Sequence, residues 1–276
     1  LDPKPVMLKD KFVRVTPEEK EAQINFVIQK SDIRKSELTK DEVKMLNDFL
    51  LDAAKTSNKQ LKEIKVSAYA SPDGPETLND KLSKERGKNT DSYLADVFKK
   101  GKVTNPATVS VETTSEDWEG FQKQVQASNI EDKDLILRVL SMYSDPEVRE
   151  KEIKNLSKVY KVLAEKVLPE LRRSRMIAKV DKVGYSDDTL KYMVENNAYD
   201  SLNVEEMLYA ATLVDNVDKK IEVYMKAGEK FNCARGYNNA AYYYILNKDV
   251  ANAKAALDKI PADQKIAAVI NNRGCV

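Results

Sequence analysis

Asn79, Ser83 and Arg86 stand four and three positions apart, which places all three on one face of a helix. Immediately before them, Ser71-Pro72-Asp73-Gly74-Pro75 is a dense turn cluster, so the N-terminal end of that face lies nearest the loop. The chemistry open to this set is recognition. A guanidinium offers a planar fork of donors to a carboxylate, and main-chain N–H groups in the loop and at the helix start add further donors. The set suits a small anionic or zwitterionic group. Asp73 has two readings: contact with such a ligand, or shaping of the helix start, since Asp before Gly-Pro makes a turn without any ligand. Arg86 has two as well: contact with the ligand, or an ion pair with Glu85 or Glu112.

Other chemistry is poorly supplied. The chain has no histidine, which removes the usual general base and the commonest metal ligand together. Its two cysteines, Cys233 and Cys275, lack C-x-x-C spacing. A disulfide and two buried free thiols both fit, and the thiols are the plainer expectation. Carboxylates are abundant, but no motif marks a catalytic pair, so no enzyme, metal or cofactor is expected. The balance of 46 basic and 45 acidic residues, net +1, gives no bias toward nucleic acid. No apolar run reaches the roughly 18 residues a membrane helix needs, and the start, Leu1-Asp2-Pro3-Lys4, does not read as a signal peptide.

The elements that would position the site follow from periodicity. Ile24, Phe26 and Ile28 alternate with Asn25, Val27 and Gln29 as in a strand. Val43, Leu46, Leu50 and Ala53 recur at helical spacing behind Asp41 and Glu42. Ile64 to Ala70 alternates again into the turn cluster. A helix then starts with Pro75 at its first position, buries Leu78, Leu82, Tyr93, Leu94 and Val97, and closes near Gly101. Val109 and Val111 predict a third strand, and Met176, Ala178 and Val180 a fourth. Between them, Trp118 to Leu168 reads as helices. Trp118, Phe121 and Val125 are expected as core anchors beside solvated acids, and Arg172, Arg173 and Arg175 as partners of local carboxylates.

Tyr69 to Gly74, then Asn79-Asp80-Lys81-Leu82-Ser83-Lys84-Glu85-Arg86, then Tyr93-Leu94 resemble the OmpA-like family. There a polar loop leads into a helix carrying Asn-x-x-Leu-Ser-x-x-Arg and an aromatic-aliphatic pair. Arg172-Arg173 ahead of Met176 to Val180 match the double arginine before the family's last strand, and the resemblance covers about Ala22 to Val183. It implies an α+β fold, a βαβαβ sandwich with a helical insertion before the last strand. It also implies peptidoglycan as partner, with the diaminopimelate of the stem peptide held by Ser71, Asp73, Asn79, Ser83 and Arg86. Arg86 would hold its carboxylate and a loop aspartate its ammonium. In this chain the loop-aspartate position falls on Ser71, and the nearest acid, Asp73, lies two positions later. Two expectations result: a wall-docking domain, or one that has lost diaminopimelate binding and serves as a scaffold in an outer-membrane or periplasmic complex. Either implies a periplasmic, outer-membrane-associated protein.

From about Thr189 the pattern is purely helical. Val204 to Val214 pairs with Lys219 to Phe231, and Ala234 to Leu246 with Val250 to Ile260. Asn238-Asn239 recurs as Asn271-Asn272 after 33 residues, close to the period of about 34 of TPR repeats. With Gly236-Tyr237, Ala240-Ala241, Ala251, Ala255 and Ala256, this part resembles an all-α TPR-like repeat domain. Such arrays hold a peptide or protein partner in a concave groove. At least one of Tyr242, Tyr243 and Tyr244 would then line a groove, or all would pack between repeats. The organisation expected is an N-terminal extension (1–21), the OmpA-like domain (22–185) and the helical repeats (186–276), which look incomplete at Val276.

Overall fold

Strand β1 (Val15–Asn25) is rich in charge because only its last residues turn inward, with Ala22 and Ile24 buried. The strand expected around Ile24, Phe26 and Ile28 therefore ends earlier than its alternation. Phe26 is still buried and donates its N–H to Arg172 O (2.6 Å), but Val27 and Ile28 turn outward as the chain bends through Gln29 at φ 55°. The structure, a computed structural model, describes residues 4–104 and 106–276. Leu1, Asp2 and Pro3, part of the start assessed above for a signal peptide, lie outside the described residues, as does Asn105.

After β1 come α1 (Lys35–Leu38), α2 (Asp41–Lys55), β2 (Lys59–Tyr69), α3 (Glu76–Lys100) and β3 (Val109–Thr114). Five short helices, α4 (Trp118–Ala127), α5 (Lys133–Met142), α6 (Pro146–Asn155), α7 (Ser157–Lys166) and α8 (Leu168–Leu171), precede β4 (Arg173–Val183). The sheet order is β1-β4-β2-β3. β2 runs parallel to β3, with α3 as the crossover that a parallel pair needs, and antiparallel to β4. The chain is thus mixed α/β, with one four-stranded open sheet and many helices.

One face of the sheet carries Ile64, Val66, Met176 and Ala178 against Val43, Leu46 and Leu50 of α2 and Leu94 and Phe98 of α3. Alternate residues on the strands instead form ion pairs, Lys65–Glu112 (2.7 Å), Lys179–Glu63 (2.8 Å) and Arg175–Glu21 (2.7 Å). Gly87 lets α3 come close to the sheet: a Cβ there would lie 2.7 Å from Val111 Cγ1. Pro75 precedes α3 rather than opening it. The helices α4 to α8 close a separate core around Phe121, Val125, Ile136, Leu140, Ile153, Leu163 and Leu171, with Trp118 packed against it.

Glu37 ties β1 to α1. It is buried, accepts from Asn25 N (2.9 Å) and pairs with Arg34 (2.8 Å) and Lys40 (2.6 Å). Burial pushes its carboxyl up, but the hydrogen bonds from Lys40 and Asn25 and the charges of Lys40 and Arg34 outweigh this, leaving it below the usual value. A depressed folded pKa adds stability that is complete above the ordinary glutamate value of about 4.3 and lost as pH falls through the folded value. The stability gap between wild type and Glu37→Gln, from urea unfolding at a series of pH values, should be constant above that point and shrink below it. A gap that widens on acidification would refute this.

A second unit joins the chain up to Val15 with Gly184–Val276, whereas Thr16–Val183 forms the sheet unit. The stretch expected as an extension to residue 21 is thus divided between the two, its last residues lying in β1. The second unit contains α9 (Asp187–Glu195), a 3-10 turn (Tyr199–Ser201), α10 (Val204–Leu213), α11 (Val217–Phe231), α12 (Ala234–Leu246), α13 (Val250–Asp258) and α14 (Ala267–Arg273). Four of its helices start on side-chain caps: Ser186 for α9, Asn203 in a capping box with Glu206 for α10, Asn216 for α11 and Asp249 for α13. α11 and α12 cross at Gly228 and Gly236, where a Cβ on Gly236 would meet Gly228 N at 2.5 Å and Tyr224 O at 2.6 Å. Cys233 and Cys275 are free and half-buried, rather than fully buried as expected. No helix among the described residues is long and apolar enough to cross a membrane.

Candidate functional site

The face of α3 that carries Asn79, Ser83 and Arg86 is its buried face. All three are under 4% exposed, and they share a stripe with Leu82, Gly87, Thr90, Leu94 and Phe98 that packs inward. The helical spacing therefore brought the residues together as expected, but turned them toward the protein. Asn79 Nδ2 donates to Gly74 O (3.2 Å) and holds the loop onto the helix. Ser83 Oγ donates to Asp80 O (2.9 Å), one turn back along its own helix.

Arg86 is 1% exposed. Its Nε donates to Lys30 O (3.0 Å), Nη1 to Tyr69 O (2.9 Å) and Nη2, at longer range, to Val27 O (3.5 Å). Its guanidinium also lies 5.1 Å from the centre of the Phe26 ring. Neither expected ion pair forms: Glu85 accepts from Ser31 Oγ (3.1 Å) and Glu112 pairs with Lys65 (2.7 Å). Burial, then the charge of Arg172, push the Arg86 pKa down to about 10, against a smaller opposing pull from Asp73. The cation is held by carbonyl dipoles and a ring face. Those carbonyls come from the end of β2 and from the bend after β1, so Arg86 fastens that bend to the sheet and helix.

Asp73 does not cap the helix that follows it: no side chain caps the start of α3. The Asp73 carboxylate instead pairs with Arg172 Nη2 (2.9 Å), each side chain 8% exposed, and accepts from Ser71 Oγ. Arg172 Nε also donates to Ser71 Oγ (3.2 Å). Ser71 and Asp73 therefore act together as the acceptor for Arg172. Arg173 pairs with Asp117 (2.8 Å) and lies over the Tyr69 ring (4.4 Å), and Arg175 pairs with Glu21 (2.7 Å). The basic cluster meets local carboxylates, as its composition predicted. Asp117 additionally caps α4 by accepting from Gly120 N (2.9 Å).

The space left among Ser71, Asp73, Asn79, Arg86 and Arg172 is about 10 Å³, at the lower limit of the roughly 10–15 Å³ that one water molecule requires. As folded, this cluster holds the loop, the helix and the start of β4 together. Among the described residues, no group of three or more Asp, Glu or Cys side chains is placed to hold a metal ion.

The second unit contains a binding arrangement that sequence reasoning did not resolve. Its asparagines hold a stretch of the chain's own N-terminal segment. Asn239 Oδ1 accepts from Leu8 N (2.8 Å) and its Nδ2 donates to Leu8 O (2.7 Å). Asn272 does the same at Val6, accepting from N (2.7 Å) and donating to O (2.8 Å). Asn238 Nδ2 adds a donor to Val6 O (3.0 Å), Asn272 donates to Asn238 Oδ1 (3.0 Å), and Asn271 reaches Lys4 O (2.8 Å). Further along, Lys11 N donates to Glu205 Oε2 (2.6 Å), the Phe12 ring stacks on Tyr209 (4.4 Å) and Arg14 pairs with Asp187. Lys4 to Arg14 thus runs from α14 past α12 to α10 and α9. The signal for this was the asparagine recurrence: buried carboxamides inside helices need partners, and one repeat of 33 positions matches a step of two along an extended chain. Tyr243 and Tyr244 pack against the core of α9 to α12, and Tyr242 meets Tyr243 edge-on at 5.1 Å.

No protein-family model matches the chain, and no curated protein matches it.

Proposed function

We propose that this chain is a non-enzymatic scaffold of a bacterial cell envelope. Its sheet unit is read as an OmpA-like domain that does not hold diaminopimelate, and its helical unit as a TPR-like array that holds a protein partner. The OmpA-like reading rests on Asn79 to Arg86, the loop before it and the closing strand after Arg172-Arg173. A periplasmic, outer-membrane-associated location comes with that resemblance.

The observation that carries the loss of wall recognition is the placement of Arg86. To grip a carboxylate, it would have to release the carbonyls of Lys30 and Tyr69, and Asp73 would have to leave Arg172 before meeting an ammonium. Separating a buried ion pair costs about 3–5 kcal/mol. A net affinity in the millimolar to micromolar range corresponds to about 4–8 kcal/mol, so a ligand at this site would have to supply the opening cost on top of that. Packing of the loop, helix and strand is the use of these residues that this balance favours.

Co-sedimentation of the full chain with purified sacculi tests the reading. The expected result is retention that neither saturates nor responds to a free diaminopimelate-containing tripeptide. Saturable retention competed away by the tripeptide would restore the docking function.

A further inference from the structure

The asparagines of α12 and α14 meet the main chain of the N-terminal segment, and a carboxamide that accepts from an N–H and donates to the carbonyl of the same residue reads backbone rather than side chain. Asn238, Asn239 and Asn272 are 0%, 2% and 0% exposed. These amides have been taken out of water and need hydrogen-bond partners, which the main chain of the N-terminal segment largely supplies. That segment is differently built. Lys4 to Val13 forms no regular secondary structure, and no residue from Lys4 to Arg14 is fully buried. Leu8 packs only partly against the cluster of Tyr237, Ala241, Leu257 and Val269, as Met7 and Phe12 do against the core of α9 to α12. The asparagines are buried in their helices, whereas the occupant is partly exposed and held chiefly through its main chain.

We infer that the helical unit is a receptor for an extended peptide read through its main chain. Lys4 to Arg14 is its built-in occupant, a strap that a partner must displace. The inference deepens the reading of this unit as a partner-holding array and rests on it. The partner segment is extended, with an apolar side chain where Leu8 sits and an aromatic four positions beyond it. Tethering keeps the strap at an effective concentration on the order of millimolar. A receptor whose groove is open only a fraction of the time binds a free peptide more weakly by that fraction.

The test uses a fluorescent peptide of residues 4–14 and the full chain, wild type and Leu8→Asp/Phe12→Ala, which weakens the strap alone. Anisotropy titration should show the peptide binding the strap-weakened chain about 10- to 100-fold more tightly than wild type, and adding Asn239→Ala should abolish that binding. Hydrogen exchange on the unmodified wild type guards against a variant that fails to fold: the Val6 and Leu8 amides should exchange about 100-fold faster than those in the middle of α12. Equal affinity for the two chains, or strap amides as slow as α12, overturns the displaceable strap and leaves the partner-holding array standing. No binding to a strap-weakened chain that circular dichroism shows to be folded, alongside fast strap exchange, overturns the peptide-receptor reading itself.

Discussion

Arg86→Ala should lower the stability of the sheet unit by about 3–5 kcal/mol, because it removes a side chain that is 1% exposed, leaves a cavity beside the Phe26 ring and takes the donors away from main-chain carbonyls. Lys30 O and Tyr69 O lose donors at 3.0 and 2.9 Å, and Val27 O loses a longer contact. Arg86→Lys, which can satisfy one carbonyl of the set, should cost about half as much. Trp118 is the only tryptophan and sits in the same unit, so its fluorescence during urea unfolding reports the change. An arginine kept for a ligand behaves in the opposite way, since removing a binding residue commonly leaves stability unchanged or raised. A midpoint within experimental scatter of wild type would therefore mean that Arg86 is not the interior post described above.

Gly236→Ala should destabilise the helical unit by about 2–3 kcal/mol, although alanine is the better helix former by about 1 kcal/mol. The added Cβ would meet Gly228 N at 2.5 Å, Tyr224 O at 2.6 Å and Gly228 Cα at 2.9 Å. These are backbone atoms of α11 and have no rotamer through which to yield. The expected result is an earlier loss of helical signal in far-ultraviolet circular dichroism on heating. A gain in stability would show that α11 and α12 do not cross this closely. Gly228→Ala is a milder comparison, because its Cβ meets the Tyr237 ring, a side chain that can move.

What the sequence made legible is what local periodicity encodes. Val43, Leu46 and Leu50 of α2, the alternation of Ile64, Val66 and Ala68 in β2, and the closing strand around Met176 and Ala178 all lie where their spacing predicts. β1 was half legible. Its inward residues, Ala22 and Ile24, carry the apolar signal, while Glu18, Glu19 and Lys20 mask the rest of the strand. The alternation through Ile28 continues past the last paired residue because nothing local encodes the bend at Gln29.

The candidate site was legible in its grouping and misleading in its direction. Spacing shows that Asn79, Ser83 and Arg86 share a face, but polarity argues for solvent, and only the sheet and the bend after β1 supply the carbonyls that let an arginine be buried there. Those carbonyls are 17 and 56 positions away in sequence for Tyr69 and Lys30. The strap is further still from local signals, since Leu8 and Asn239 are separated by 231 positions. The one available clue was chemical: paired asparagines inside apolar helices have to bond to something.

The most direct test of the scaffold reading is a two-dimensional NMR titration of the full chain, labelled with nitrogen-15, with a diaminopimelate-containing stem tripeptide, observing the Ser71, Asp73 and Gly74 amides and the Arg86 Nε–H. The expected result is that these resonances stay in place up to millimolar peptide, with Arg86 Nε–H protected from exchange by its bond to Lys30 O. Saturable shifts of the loop amides together with loss of that protection would contradict it, and would show that Arg86 leaves the interior to hold the wall.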